Sequence, residues 1–139
     1  DLEFEKALLK HLNWLEILPY PYIVNASEKL VKKLEGKELL KGITISAPGF
    51  YGPQGRQLRL PIWKEDINDQ IEAFNYKGQK ITNYEMECSA IYGLSGLLEH
   101  NALTICVIIA NRALKEFSKD YQPPMKKLIG YVLDKITDK

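Results

Sequence analysis

Ala102-Leu103-Thr104-Ile105-Cys106-Val107-Ile108-Ile109-Ala110 is the longest apolar stretch of the chain, nine residues with only Thr104 as a polar interruption. A run of this kind suits a strand covered on both faces, as in the middle of a parallel sheet, because none of its side chains has to face water. It is well short of the roughly 20 residues a membrane-spanning helix requires, so no spanning segment is expected. Helical and extended patterns alternate around it. That alternation predicts an α/β fold with a mainly parallel or mixed sheet flanked by helices.

Upstream, Phe4, Leu8, Leu12 and Leu15 recur at helical spacing among charged residues, predicting an amphipathic helix over residues 2–18 that stops at Pro19-Tyr20-Pro21. Asn25 and Glu28 have the spacing of a capping box ahead of a second helix with Ala26, Leu30, Val31 and Leu34 on its apolar face. Its Lys29, Lys32, Lys33 and Glu35 read as a solvated face. Ile43-Thr44-Ile45-Ser46-Ala47 is β-branched and reads as a strand. Ile67, Ile71 and Phe74 mark a helix, Ile81-Thr82-Asn83-Tyr84 a short strand, and Met86, Ala90, Leu94, Leu97 and Leu98 the stripe of a further helix. A last helix is expected from about Pro124 to Asp138, with Met125, Leu128, Ile129, Val132, Leu133 and Ile136 facing inward. No repeat or linker divides the chain, so residues 1–139 are expected to form a single domain.

The 139 residues, 45% hydrophobic and 27% charged, suffice for one globular domain with its own core. Nineteen Lys and Arg against 18 Asp and Glu leave a formal charge of +1, too little excess for binding nucleic acid or an anionic membrane. Cys88 and Cys106 lie in apolar runs without CxxC spacing and read as reduced core thiols of a cytoplasmic protein. His11 and His100 stand alone on helical stretches, so no metal site is expected. The opening at Asp1 lacks the pattern of a signal peptide and reads as a cut edge.

In an open α/β sheet, ligands gather outside the carboxyl ends of the strands. Three segments qualify. The first, Pro48-Gly49-Phe50-Tyr51-Gly52-Pro53-Gln54-Gly55-Arg56, contains too much Gly and Pro to continue a strand or start a helix. It offers an aromatic face, an amide and a guanidinium, a set that can read a flat ligand bearing both C=O and N–H groups, such as a pyrimidine base. An ordinary surface loop with an exposed Arg is the alternative. The second, Glu85-Met86-Glu87, lies where a strand enters a helix. Its carboxylates could complement the helix dipole, or they could accept hydrogen bonds from a vicinal diol while Met86 packs on the sugar. The third is Asn111-Arg112, where the Arg faces either the crevice or a salt bridge. Neither a G-x-G-x-x-G nor a Walker phosphate loop occurs. Gly93-Leu94-Ser95-Gly96-Leu97 lacks the final Gly of a nucleophile elbow.

Phe50-Tyr51-Gly52-Pro53-Gln54-Gly55-Arg56, Asn83-Tyr84-Glu85-Met86-Glu87 and Ile108-Ile109-Ala110-Asn111-Arg112, in that order, resemble the three C-terminal signatures of uridine phosphorylases in the nucleoside phosphorylase I family. The resemblance runs from about Pro21 onward, leaving residues 1–18 as a variable helix. It implies part of a phosphorylase/hydrolase-like fold and the reversible phosphorolysis of uridine to uracil and ribose 1-phosphate. Phosphate is then a co-substrate, and neither cofactor nor metal is required. On the same basis Phe50, Gln54, Arg56 and Arg112 bind uracil, with Gln54 and Arg56 also stabilising the departing base. Glu85, Met86 and Glu87 hold the ribose.

Purine-cleaving relatives usually carry an Asp after the last buried strand. Asn111-Arg112 departs from that pattern and favours a pyrimidine. Pro53 and Cys88 differ from the commonest residues at their positions. No phosphate-binding motif of the family's N-terminal half is found, so the chain resembles the C-terminal half of a subunit that assembles as dimers or trimers of dimers. A purine nucleoside phosphorylase, a nucleosidase, and a non-catalytic fragment serving binding or assembly are the competing readings.

Overall fold

The computed structural model describes residues 2–112 and 114–137. Asp1 and the expected helix end at Asp138 lie outside the described residues. The order of elements is α1 (Leu2–Leu12), α2 (Glu28–Leu34), β1 (Ile43–Ser46), a 3-10 turn (Gly52–Gln54), α3 (Ile67–Ala73), β2 (Ile81–Glu85), α4 (Cys88–Leu97), β3 (Ala110–Asn111), β4 (Glu116–Phe117) and α5 (Gln122–Ile136). This is a mixed α/β architecture. Its contacts divide into two units, one comprising residues 1–25 and 40–100, the other residues 26–39 and 101–139.

The first unit holds the parallel pair β1–β2, in register as Ile43↔Ile81, Thr44↔Asn83, Ile45↔Tyr84 and Ser46↔Glu85. The register shifts between Ile43 and Thr44, leaving Thr82 as the extra residue, whose hydroxyl donates to the Ile43 carbonyl at 3.2 Å. Phe4, Leu8 and Leu12 of α1 meet Ile67 and Ile71 of α3 and Phe74 beyond it in one buried cluster, with Ile43, Ile45, Ile81 and Tyr84 of the sheet packed against it. Phe4 meets Phe74 edge to face at 5.2 Å. Helix α1 ends at Leu12, shorter than the predicted 2–18. Asn13 takes the left-handed conformation at φ 46°, and the Trp14 N–H closes on the Leu9 carbonyl at 3.0 Å. Asn tolerates that conformation and so terminates the helix before the prolines are reached.

In the second unit α2 starts at Glu28, with Ser27 as its cap in place of the expected Asn25. Extended backbone at Ser27 lets its hydroxyl accept from the Leu30 N–H at 3.4 Å. The Tyr131 hydroxyl of α5 donates to the carbonyls of Leu34 and Glu35, each at 3.0 Å, and Lys127 pairs with Glu38 at 2.7 Å.

The apolar run Ala102–Ala110 departs from the expectation. Only Ala110 joins a strand, and β3 pairs antiparallel with β4 as Ala110↔Phe117 and Asn111↔Glu116. A strand buried on both faces needs a neighbour hydrogen-bonded along each edge. Among the described residues no strand pairs with residues 102–109, and the run stays irregular. Ile108 is 59% exposed, and Cys106 is exposed rather than in the core. In α5, Met125, Leu128 and Val132 are half-buried, whereas Ile129, Leu133 and Ile136 are exposed rather than inward-facing. Similarly, Leu94 and Leu97 of α4 and Leu98 beyond it are exposed.

Candidate active site

Because β1 and β2 run parallel and in register to their last residues, the segments that follow them leave the sheet at the same edge. The Ala47 N–H donates to the Glu85 carbonyl at 2.9 Å, continuing the ladder one residue past β1. The Gly/Pro-rich loop and the Glu85-Met86-Glu87 step, separated in sequence by about thirty residues, therefore begin side by side.

A single turn of 3-10 helix shapes the loop. The Tyr51 carbonyl accepts from the N–H groups of Gln54 at 3.0 Å and Arg56 at 2.9 Å, while the Gly52 carbonyl accepts from Gly55 at 2.9 Å. Gly55 closes the turn in the left-handed region at φ 71°. The Arg56 guanidinium then folds back over the loop. It lies 3.8 Å from the Phe50 ring centroid, donates to the Gln54 side-chain oxygen at 2.8 Å, and donates to the Phe50 carbonyl. Gln54 is 3% exposed, the only buried polar residue among those described, whereas Phe50 is 51% exposed. An amide and a guanidinium are thus held against one another beside an accessible aromatic ring.

At the other segment, the Glu85 carboxylate accepts from the backbone N–H groups of Glu87 and Cys88, both at 2.6 Å, and from the Ser46 hydroxyl. Ser46 in turn accepts from the Ser89 N–H at 2.8 Å. Glu85 thereby caps the start of α4 and ties it to the end of β1. Burial pushes its carboxyl up, but hydrogen bonds from the Cys88 thiol, the Ser46 hydroxyl and the two backbone N–H groups outweigh burial and hold it below the ordinary value. Glu87 stands exposed beside it and makes no side-chain cap to α4. Met86 is 42% exposed between them.

A family model described as the phosphorylase superfamily matches residues 4–133. The chain belongs to the phosphorylase superfamily. Over 81 residues this phosphorylase-superfamily chain is 32% identical to a uridine phosphorylase of Thermococcus kodakarensis, covering 56% of the chain and 27% of that relative. It is also similar in fold to the Trypanosoma brucei nucleoside phosphorylase whose crystal structure is described as showing uridine phosphorylase activity. The TM-score is 0.83 at 23% identity, covering 99% of this chain and 49% of that one. The chain thus spans about half of the solved relative, and the mixed α/β fold is that of the nucleoside phosphorylases.

Of the residues singled out from the superfamily signatures, Phe50, Gln54, Arg56, Glu85, Met86 and Glu87 belong to the first unit and its one sheet edge. Arg112 belongs to the second unit, in the turn from β3 to β4, where its carbonyl accepts from the Lys115 N–H at 3.3 Å. Among the described residues, no group of three His, Cys, Asp or Glu side chains could hold a metal ion, and no helix is long and apolar enough to cross a membrane. Sequence reasoning assigned no site role to Ser46, which donates to the Glu85 carboxylate, to Asn68, which donates to the Gln54 carbonyl, or to Tyr84, which donates to Asn68. Ser46 could have been suspected as the last polar residue of a predicted strand. Asn68 left no signal of its own.

Proposed function

We propose that this chain carries the base and ribose subsites of a uridine phosphorylase, converting uridine and inorganic phosphate to uracil and ribose 1-phosphate. The observation that supports this above all is the parallel register of β1 and β2. It gives the loop with Phe50, Gln54 and Arg56 a common edge with the Glu85–Glu87 step. A base subsite and a sugar subsite must adjoin in this way for one nucleoside to occupy both.

In this reaction a phosphate oxygen forms a bond to C1′ as the C1′–N1 bond breaks, and the bonding electrons leave with uracil. Gln54 and Arg56 hydrogen-bond the base and stabilise the negative charge it acquires, an interaction stronger in the transition state than in bound substrate. Phe50 packs on the base and Met86 on the ribose. Glu87 accepts from the ribose hydroxyls, while Glu85, already committed to Ser46 and the start of α4, fixes the step from which Glu87 projects. The family signatures are the sole support for assigning Arg112 to uracil. The proposal includes no metal or cofactor, a homo-oligomer built as dimers or trimers of dimers, and a role in pyrimidine salvage in the cytoplasm.

The test is uracil release by the intact protein. Release that requires phosphate and collapses in Arg56→Ala and Gln54→Ala is the expected result. Release independent of phosphate identifies a nucleosidase, and preference for inosine identifies a purine phosphorylase. An intact protein that binds uracil without cleaving uridine is a binding or assembly domain.

A further inference from the structure

Two side chains from separate elements connect the sheet to the backbone of the loop. The Tyr84 hydroxyl of β2 donates to the Asn68 side-chain oxygen at 2.9 Å, and the Asn68 amide of α3 donates to the Gln54 backbone carbonyl at 3.4 Å. The second bond is long, but an independent observation fixes the same contact. A Cβ built on Gly55 would lie 2.4 Å from the Asn68 amide nitrogen and 2.9 Å from Ile67 Cγ2. Asn68 therefore packs directly against the Gln54-Gly55 backbone, at the residue whose left-handed conformation closes the turn. Tyr84, paired with Ile45 in the sheet and packed on the buried cluster, anchors the other end.

We infer that Tyr84 and Asn68 are positioning residues that lock the base-binding loop to the sheet, setting where the Gln54 amide and Arg56 guanidinium stand. Their effect runs through the backbone of the loop. A hydrogen-bonding side chain can be displaced by an ångström if the backbone beneath it drifts, and groups that act on developing charge lose much of their effect at such displacements. The amide of Asn68 is suited to the task because it accepts from the Tyr84 hydroxyl with its oxygen and donates to the loop with its nitrogen. Its consequence for catalysis rests on the proposed uridine phosphorylase reading, whereas the mechanical link does not.

Asn68→Asp separates the two halves of the link: a carboxylate still accepts from Tyr84 but cannot donate to the Gln54 carbonyl. Tyr84→Phe removes the anchor while keeping the ring. The amides of Gln54, Gly55 and Arg56 all donate within the loop, so their hydrogen exchange reports its opening. In the intact protein both variants should speed exchange at these amides about tenfold, with exchange in α1 unchanged. They should also lower kcat/KM for uridine about tenfold without changing KM for phosphate. In a Gln54→Ala background, Asn68→Asp should lower activity by less than it does alone, because part of its effect acts through the Gln54 amide. Unaltered loop exchange in both variants overturns the inference, as does an Asn68→Asp effect that multiplies fully with Gln54→Ala. A wild-type protein that leaves uridine intact sinks the functional reading alone, and the exchange comparison still decides the link.

Discussion

In the first unit, α1, α3 and Phe74 bury six large apolar side chains in one cluster, and the parallel pair β1–β2 lies against it. In the second, Leu34 is the only buried hydrophobic residue described, α5 buries none, and the most apolar run of the chain stays irregular. Apolar sequence is plentiful in both. What separates them is partners: in the first unit the stripes of α1 and α3 meet one another and the sheet, although the stripe of α4 stays exposed, and the two strands that carry the site segments are hydrogen-bonded to each other. The site segments differ accordingly, since the loop and the Glu85–Glu87 step rest on a paired sheet, whereas Arg112 follows a two-residue strand.

Stability measurements on paired variants of the intact protein offer the hardest test of this contrast. Phe74→Ala should cost about 3–5 kcal/mol, since it empties a buried position contacting Phe4 edge to face. Ile129→Ala, at a residue 52% exposed, should change stability by no more than about 0.5 kcal/mol. Equal losses in denaturant unfolding would break the comparison, showing that the face of α5 is covered in the intact protein. Next in size is Arg56→Ala, expected to lower kcat for uridine about 100- to 1000-fold while leaving the unfolding midpoint near wild type. A lysine at this position should rescue little, because the guanidinium plane over Phe50 and its bond to Gln54 are not reproduced by an ammonium. Gly55→Ala should destabilise by about 1–2 kcal/mol from the left-handed backbone alone, plus the displacement of Asn68.

The same contrast explains what could be read from sequence. Ile43 to Ser46 and Ile81 to Tyr84 were legible as strands because β-branched residues follow glycine-containing turns, and the loop was legible because two prolines and three glycines exclude a strand or an α-helix from Pro48 to Arg56. Family motifs marked the residues at the sheet edge. Helix ends depended on single capping interactions, with Asn13 stopping α1 early and Ser27 displacing Asn25 at α2. Ala102–Ala110 misled because composition records a preference for burial and not the presence of neighbouring strands. Asn68 was invisible for a related reason: its partner Tyr84 lies 16 residues away, and nothing in either local pattern announces the bond.

The smallest predicted effect distinguishes the two carboxylates that sequence alone treats alike. Glu85 accepts from four donors at the junction of β1 and α4, and its carboxyl sits below its ordinary 4.5 despite the opposing effect of burial. A group with a depressed folded-state pKa stabilises the fold above its unfolded value, and that contribution disappears as pH falls through the folded value. The intact wild type should therefore unfold at higher denaturant than Glu85→Gln near neutral pH, and the gap should begin to close once pH drops below about 4.5. A gap that stays constant down to strong acid would mean that the charged carboxylate is not what ties α4 to β1. Glu87→Gln should leave the neutral-pH unfolding midpoint unchanged and instead weaken uridine turnover, because Glu87 makes no cap to α4 and is assigned to the ribose. If the two variants exchanged phenotypes, the pinned carboxylate would be the one that meets the sugar, and the division of labour along this edge of the first unit would have to be reversed.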